Sequence, residues 1–141
     1  MLAKDGKIKI TDFGLACINN ASKMTMAGQI LGTLLYMSPE QIKGRPVDNR
    51  SDIYSLGITF YESLTRSVPF PHGDIVYCHI HETPPLPSLL NPDIPKPLEK
   101  IIIKSIEKNP EDRYQNIREM LGDINRCQNP IHNENHLIIT P

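Results

Sequence analysis

The spacing of apolar side chains predicts that most of this chain is helical. The clearest helix covers residues 52–65, where apolar residues occupy nearly every side. A helix of that kind lies in the centre of a domain, because each of its faces has to be covered. Gly57 in its middle costs up to about 1 kcal/mol relative to alanine, so we expect close backbone packing there. Asp48 and Ser51 are both candidate N-caps for this helix.

Shorter amphipathic segments predict further helices on both sides of the central one. Ser38 can cap a short helix with Pro39 at its first position, and Gly44 and Pro46 would end it. Three more helices are predicted over residues 74–82, from Pro97 to Asn109-Pro110, and after the candidate cap Asn116. The last of them has an apolar stripe made of Ile117, Met120, Leu121 and Ile124. Residues 84–87 are rich in proline and predict an extended connection.

β-structure is predicted only at the N-terminus. Residues 7–10 alternate polar and apolar side chains, which is the period of a half-buried strand. Asp5-Gly6 is a hairpin-turn signal, and residues 1–3 are all that could supply the first strand. Residues 15–38 have little hydrophobic period and are interpreted as a long loop. The prediction is therefore a mainly α fold with a short N-terminal β-hairpin, a long loop and about five helices.

Composition narrows the function classes. A chain of 141 residues is long enough for one domain, and 39% hydrophobic and 22% charged residues are ordinary values for a globular chain. A formal net charge of −1 gives no reason to expect nucleic acid or an anionic membrane surface as a partner. No apolar run approaches the roughly 20 residues that span a bilayer. With three cysteines far apart in sequence, we expect reduced thiols. The first residues lack the apolar core of a signal peptide, so we expect a cytoplasmic protein.

Two short motifs bracket the long loop. Asp12-Phe13-Gly14 follows the predicted strand, and Ser38-Pro39-Glu40 closes the loop. The first resembles the Asp-Phe-Gly motif of protein kinases, and the second resembles their Ala-Pro-Glu motif with Ser38 replacing the alanine. Three further segments resemble the same family in residue identity and spacing, namely residues 47–57, 68–70 and 108–114. Residues 1–126 together resemble the C-terminal lobe of bacterial eukaryotic-like serine/threonine kinases, and the long loop would be its activation loop.

This resemblance implies a cofactor site and a regulatory site in the first part of the loop. Asp12, with Phe13 and Gly14 beside it, would bind the magnesium ion that bridges the ATP phosphates. Thr25 lies where related kinases carry an activating phosphothreonine, and Ser22 is a second candidate. A phosphate would add roughly −1.5 to −2 charge and would need an arginine to bind it. An unmodified hydroxyl in a solvated loop is the equal alternative.

The end of the loop is implied to form the substrate pocket. Thr33 matches the hydroxyl residue below the active site of the family. Tyr36 would help to wall the pocket for the residue after the phospho-acceptor. The pair Gly32-Thr33 resembles serine/threonine specificity, so a protein substrate is expected.

Three charged residues are implied to hold this scaffold together. Glu40 and Arg113 match a buried ion pair that joins the end of the activation segment to the last helices. Breaking such a pair leaves a lone buried charge at a cost of about 3–5 kcal/mol, so Arg113→Ala should destabilise the fold. Asp52 matches the carboxylate that accepts N–H groups from the catalytic loop, with simple N-capping as the alternative.

Two other clusters suggest different functions. One contains possible metal ligands, namely His72, Cys78, His79, His81 and Glu82. Helix neighbours two residues apart do not share a face, and nothing else supplies the spacing of a zinc site, so a metal is not expected. Residues 84–87 could bind a proline-recognition module, although the family resemblance places an inter-helix loop there.

The motifs that carry the phosphoryl-transfer reaction are not in this sequence. It contains no Gly-x-Gly-x-x-Gly loop and no His-Arg-Asp motif, so no catalytic aspartate can be assigned. Met1-Leu2 match the apolar pair that follows the catalytic loop in the family. We therefore expect a partial kinase domain over residues 1–126 and a mobile tail over 127–141. ATP and magnesium binding by this chain alone is doubtful.

Three functions remain open at this point. The first is a fragment of a serine/threonine kinase that is inactive alone. The second is a non-enzymatic module that docks substrates or kinases through the 74–82 helix and the pocket near Tyr36. The third is a split kinase completed by a separate N-lobe chain. An apolar face left open on the central helix would favour association, including a homodimer.

Overall fold

The structure is a computed structural model that describes residues 32–128. The predicted hairpin, most of the predicted activation loop and residues 129–141 lie outside the described residues. Residues 32–34 are helical. From Pro39 onward the helices are α1 (Pro39–Ile42), α2 (Asn49–Thr65), α3 (Ile75–His81), α4 (Pro87–Leu90), α5 (Lys96–Ser105), a 3-10 helix (Pro110–Asp112) and α6 (Ile117–Gln128). The described part is helical without strands, which confirms the mainly α prediction.

Helix α2 lies at the centre of this arrangement. It begins at Asn49, three residues earlier than predicted, because Asp48 is the N-cap and its Oδ1 accepts the Arg50 N–H at 2.8 Å. Its C-cap is Arg66, in the left-handed conformation with φ of 62°. The predicted all-round burial is confirmed by four fully or almost fully buried apolar residues, namely Ile53, Tyr54, Ile58 and Tyr61. Its exposed positions are all polar, at Asn49, Asp52, Thr59 and Ser63, so no apolar face of α2 is open.

The core forms where α2 packs on α5 and where α5 packs on α6. One cluster joins Tyr54, Ile58 and Tyr61 of α2 to Val68, Ile102 and Ile106. A second cluster joins Ile53, Ile101, Tyr114 and Met120. The shorter helices pack around this core. Helix α4 packs on both α2 and α5, and α1 packs on α3. No helix within residues 32–128 meets the length and hydropathy that a membrane span requires.

The predicted close packing at Gly57 is confirmed. A Cβ atom at this position would lie 2.6 Å from Ile106 Cγ2 and 2.7 Å from Ser105 Cβ. Both distances are shorter than van der Waals contact, so α2 and the end of α5 can lie this close only because Gly57 has no side chain. Glycine is therefore needed here for helix packing.

Alanine at position 57 is expected to lower the free energy of unfolding by about 1–2 kcal/mol. Overpacking costs about 1–3 kcal/mol, and the better helix propensity returns up to about 1 kcal/mol. The matched control is Gly122→Ala on α6, where the nearest atom to the new Cβ would be 3.9 Å away. That change should raise stability, because only the propensity gain remains. Urea unfolding measures both, and equal gains in the two variants would contradict the packing explanation.

The end of α5 and the presence of α4 differ from the prediction, and in both places side chains remote in sequence bond to the backbone. Helix α5 ends at Ser105 instead of Asn109-Pro110, and the carbonyls of Glu107 and Lys108 accept hydrogen bonds from Arg113. The connection predicted to be extended over residues 84–87 is non-helical as far as Leu86, but Pro87 begins α4, which was not predicted. The Ser88 N–H in α4 is bonded to the Glu99 carboxylate on α5 at 2.8 Å. None of these three hydrogen bonds is visible in the local sequence pattern. The 3-10 helix that follows, capped by Asn109, was also not predicted.

Helix α6 is capped as predicted but is rotated relative to its predicted stripe. Asn116 Oδ1 accepts the N–H groups of Arg118 and Glu119, both at 3.1 Å. Met120 is fully buried, whereas Ile117 and Leu121 are 52% and 53% exposed. The predicted four-residue stripe is therefore wrong at two positions. A helix at the edge of the domain buries a narrower face than a four-residue stripe would require.

Candidate functional site

Tyr36 attaches the end of the long loop to α2. Its hydroxyl donates a hydrogen bond of 2.6 Å to Glu62 Oε2, and its carbonyl accepts the Ser55 hydroxyl at 2.8 Å. The hydrogen bond with Glu62, followed by burial, raises the pKa of Tyr36 to about 12. The phenol therefore stays a proton donor at neutral pH. The first bond holds the Tyr36 ring against the central helix, and the second holds its backbone there.

The other two predicted pocket residues lie in the turn just before Tyr36. Gly32 and Thr33 are exposed, and the Thr33 carbonyl accepts the Tyr36 N–H at 3.2 Å. The three residues thus share one short surface segment. The structure brings them together beside the stretch of α2 between Ser55 and Glu62.

Ser38 ends this segment with a capping box. Its hydroxyl accepts the Gln41 N–H at 3.4 Å, and Gln41 Oε1 accepts the Ser38 N–H at 2.9 Å. The predicted cap is confirmed, with Pro39 at the first helical position. Serine in place of the alanine of the kinase motif therefore gives α1 an N-cap that alanine could not provide.

Glu40 and Arg113 form a buried two-point ion pair. Arg113 Nη1 lies 2.8 Å from Glu40 Oε1, and Nη2 lies 2.9 Å from Oε2. The Ser51 hydroxyl adds a third hydrogen bond to Glu40 at 2.6 Å. Burial would raise the pKa of Glu40, but the hydrogen bonds from Arg113 and Ser51 outweigh it and lower the pKa to about 2. The carboxylate therefore stays charged at neutral pH.

The Arg113 guanidinium uses all five of its N–H groups. Besides the two bonds to Glu40, Nε donates to the Glu107 carbonyl at 2.7 Å. Nη1 donates to the Arg50 carbonyl at 3.0 Å, and Nη2 to the Lys108 carbonyl at 3.1 Å. A buried arginine with every donor satisfied avoids the desolvation cost of an unpaired polar group. Arg113 thereby joins α1, α2 and the segment after α5.

The buried polar contacts continue from Arg113 into α3. The guanidinium lies over the Tyr54 ring, 4.8 Å from its centroid, and Tyr54 Oη is 2.8 Å from His79 Nδ1. Burial, together with the charge of Lys108, lowers the pKa of His79 to about 4. His79 is therefore neutral at physiological pH. Burial also raises the pKa of Tyr54, so its hydroxyl remains a donor.

Lys108 is the last member of this network and contacts α3 and Phe70. Its ammonium donates to the Cys78 carbonyl at 3.1 Å and lies 4.6 Å from the centre of the Phe70 ring. Burial lowers the pKa of Lys108 to about 8. The lysine thus binds a carbonyl in the last turn of α3, where a positive charge is favoured by the helix dipole.

Two buried tyrosines of α2 allow the network to be tested with matched substitutions. Among residues 32–128, the buried Tyr61 hydroxyl has no hydrogen-bond partner, whereas Tyr54 is bonded to His79. Tyr54→Phe should lower the free energy of unfolding by about 1–3 kcal/mol, because His79 loses its partner. Tyr61→Phe should be neutral or stabilising, because an unpaired buried hydroxyl is removed. Urea titrations compare them, and equal losses would contradict the assigned hydrogen bond.

Asp52 is not the cap of α2. It lies exposed in the first turn, and the capping role considered for it belongs to Asp48. The remaining predicted site residues, Asp12, Phe13, Gly14, Ser22 and Thr25, lie outside the described residues.

The histidines near α3 have separate surroundings. His79 is buried against Tyr54 and Phe70, whereas His81 is exposed and its ring lies 4.8 Å from that of Tyr77. Within residues 32–128, no group of three or more histidine, cysteine or acidic side chains could hold a metal ion. Sequence reasoning considered His79 only as a ligand. Its spacing of four residues from Ile75, which is also buried, is the signal that could have placed it in the core.

The protein kinase domain family model matches residues 1–123 of this sequence. The chain belongs to the protein kinase domain family. This kinase sequence is 44% identical over 132 residues to a probable serine/threonine-protein kinase of Clostridium acetobutylicum, covering 92% of the chain and 20% of the relative. It is 43% identical over 133 residues to a probable serine/threonine-protein kinase of Streptomyces coelicolor, and the match covers 90% of this chain and 20% of the relative.

A third relative is the serine/threonine-protein kinase PknB of Mycolicibacterium smegmatis, 39% identical over 132 residues, with 89% of this chain and 21% of PknB covered. The chain thus spans about a fifth of the length of these curated relatives. These matches confirm the predicted resemblance to bacterial serine/threonine kinases. Of the predicted site residues, Gly32, Thr33, Tyr36, Glu40, Asp52 and Arg113 lie within the described residues.

Proposed function

We propose that this chain is the substrate-docking part of a serine/threonine protein kinase. The reaction of the whole protein would be transfer of the ATP γ-phosphoryl group to a serine or threonine hydroxyl of a protein. The observation that supports it is the double attachment of Tyr36 to α2, through Glu62 and Ser55. A surface segment held this firmly can present a fixed pocket to an extended peptide.

The pocket would use the three residues of that segment. Tyr36 would form a wall for the substrate residue after the phospho-acceptor, with Gly32 and Thr33 beside it. The Glu62 bond would keep the ring in place while a substrate binds. Glu40 and Arg113 would hold the far end of the segment through α1, as their contact at 2.8 Å indicates.

The first part of the loop would help to bind magnesium-ATP and would carry the regulatory phosphorylation site. Asp12, next to Phe13 and Gly14, offers a carboxylate, the kind of ligand that magnesium prefers. Magnesium, when bound, would neutralise charge on the phosphoryl group. Thr25, with Ser22 as the second candidate, would accept a regulatory phosphate. Asp52 would bind N–H groups of the catalytic loop from its exposed position on α2.

The catalytic base and the phosphate-covering loop would come from outside these 141 residues, since neither motif occurs in them. We assign residues 1–126 to the kinase domain and 127–141 to a tail, although α6 continues to Gln128. Because the reaction consumes ATP, we also assign this part to the cytoplasm. The chain alone should transfer no phosphoryl group, and activity of the isolated chain would contradict this assignment.

The pocket is tested in the complete kinase that contains this chain. Tyr36→Ala should raise KM for a short peptide substrate about tenfold and leave KM for ATP unchanged, a loss of about 1.4 kcal/mol of binding. Tyr77→Ala, on the outer face of α3, is the matched control and should leave both values unchanged. A parallel rise in KM for ATP in Tyr36→Ala would contradict a pocket role.

A second candidate function, docking of a whole protein partner, is favoured by the outer face of α3. Val76 is 39% and Tyr77 51% exposed, and the Tyr77 ring lies 4.8 Å from the His81 ring at a tilt of 41°. Exposed aromatic residues of this kind are enriched in binding surfaces. Tyr77→Ala should then raise KM for a protein substrate but not for a short peptide. Equal KM values for the protein substrate in wild type and Tyr77→Ala would exclude docking at this face.

A further inference from the structure

Helix α6 has a small apolar surface that the domain leaves open. Ile117 and Leu121 are 52% and 53% exposed, and they are four residues apart. Residues at this spacing lie one above the other on the same face of a helix. Neither side chain belongs to, or packs against, the two core clusters. The pair is therefore an apolar face that nothing within residues 32–128 covers.

This pair continues an apolar pattern that the core covers only in part. Met120 lies in the second core cluster, and Ile124 packs against that cluster. A single exposed apolar residue is ordinary on a protein surface and needs no explanation. Two such residues on adjacent turns of one face form a continuous surface, and contact with another apolar segment would remove it from water.

The sequence directly after α6 contains a segment that suits this surface. Helix α6 ends at Gln128, and Asn129-Pro130 comes next. Proline disfavours helical backbone in the residue before it, so the sequence predicts that the chain turns away from the axis of α6 here. Mostly polar residues follow, and the only apolar run among residues 129–141 is Leu137-Ile138-Ile139.

The distances allow this run to reach the open pair. A helix rises 1.5 Å per residue, so Leu121 lies about 10 Å and Ile117 about 16 Å along the axis from Gln128. The residues between Gln128 and Leu137 span up to about 30 Å when extended. The connection is therefore long enough to include a turn. A tether this short also gives an effective concentration on the order of mM, which favours the run over a second molecule in solution.

Charge favours the same contact. Arg118 is exposed beside the apolar pair, and it forms no ion pair within residues 32–128. Residues 129–141 contain no lysine or arginine, and their one acidic residue is Glu134. The segment and the arginine are thus opposite in charge. Such an attraction is small at an exposed position, so the apolar contact would carry most of the binding.

We propose that residues 137–139 bind back onto Ile117 and Leu121 and cover the open face of α6. The occupant is a segment of the same chain, tethered at Gln128 and held by apolar contact. The mobile tail expected from sequence would then be attached to the kinase domain by its apolar run. Because α6 also carries Met120 of the second core cluster, the contact would stabilise the end of the domain.

Protease accessibility of the full 141-residue chain tests the contact without any need for activity. Thermolysin cleaves on the amino side of leucine and isoleucine, and mass spectrometry measures its initial rate of cleavage before residues 137, 138 and 139. Cleavage there should be about fivefold faster in Leu121→Gln than in wild type, because it proceeds from the unbound segment and half of a leucine side chain no longer stabilises the bound one. Glutamine and leucine have similar helix propensities, so α6 should persist.

The matched control is Leu89→Gln on α4, where the side chain is 73% exposed. It should leave the thermolysin rate unchanged. Equal rates in wild type and Leu121→Gln would overturn the inference. Faster cleavage in Leu89→Gln alone would also overturn it, because the segment would then bind to α4.

Substitution within the segment tests the contact from the other side. Ile138→Gln should increase the relaxation of the Ile117 and Leu121 methyl groups by a soluble paramagnetic agent, measured by methyl NMR, and leave Leu89 unchanged. Unchanged relaxation at all three residues would contradict the contact. If Leu121→Gln does not fold, this variant decides.

Protein concentration separates the tethered segment from a second copy of the chain. Protection from thermolysin should stay constant over about a hundredfold range of concentration, because the contact is intramolecular. Protection that increases with concentration would assign the face of α6 to a second copy and would overturn the inference.

Discussion

Replacing Arg113 with alanine should lower the free energy of unfolding by about 3–5 kcal/mol. The reason is that Glu40 would remain buried as a carboxylate without its partner, bonded only to Ser51 among the described side chains. Three backbone carbonyls would also lose a donor, including those of Glu107 and Lys108. Thermal and urea unfolding measure the loss. An unchanged melting temperature would contradict the ion pair.

Controls separate the buried pair from a general effect of removing an arginine. Arg118→Ala on the exposed side of α6 should change stability by less than about 0.5 kcal/mol. Arg113→Lys keeps the charge but cannot make two parallel bonds, so it should still destabilise. The double substitution Glu40→Gln with Arg113→Met should cost less than the sum of the single ones, because no lone charge is left. Additive losses would exclude direct coupling.

Acidification should destabilise the domain in two steps. The pKa of His79 is lowered from 6.5 to about 4 by burial, so the unfolded chain binds a proton between these values while the folded chain does not. Stability therefore falls as pH decreases from 6.5 to 4, by about 3 kcal/mol at 1.36 kcal/mol per pKa unit. The side chains that face His79 are Tyr54, Phe70 and Lys108, and none of them supplies a negative charge.

Glu40 acts in the second, more acidic step. Its folded pKa of about 2 lies below the ordinary 4.5, so its stabilising contribution is complete above 4.5 and is lost as pH falls towards 2. Unfolding free energies measured from pH 7 to 3 test both steps. His79→Gln should abolish the slope between pH 6.5 and 4, and His72→Gln should retain it. A wild-type curve that is flat over this range would show that His79 is not protected from protonation.

The parts of the fold that were predictable from sequence are those determined by neighbouring residues. The buried helix α2 follows from its own apolar pattern, and the caps at Ser38 and Asn116 follow from the side chain preceding each helix. Gly57 was also interpretable, because glycine disfavours a helix and its presence in a strongly apolar one indicates close packing. In each case the determining residues lie within one or two turns of the feature.

The parts that were not predictable depend on contacts between distant residues. The Ser88 N–H in the first turn of α4 is bonded to Glu99 of another helix, and the backbone just after α5 is bonded to Arg113. The rotation of α6 follows from packing of Met120 against Ile101 and Tyr114, which no local pattern contains. In the site, the Glu40–Arg113 contact was available only from family resemblance. His79 was misread because its burial depends on α2 and on Phe70.

The sequence distance between Glu40 and Arg113 has a consequence for synthesis of the chain. The two residues are 73 positions apart, so their contact closes a long loop. On a ribosome, Glu40 emerges well before its partner exists, and the buried carboxylate site cannot form until residue 113 has left the exit tunnel. Long-range contacts of this kind form late, because their closure entropy must be overcome first. The attachment of α1 to the segment after α5 is therefore one of the last parts of this domain to be completed.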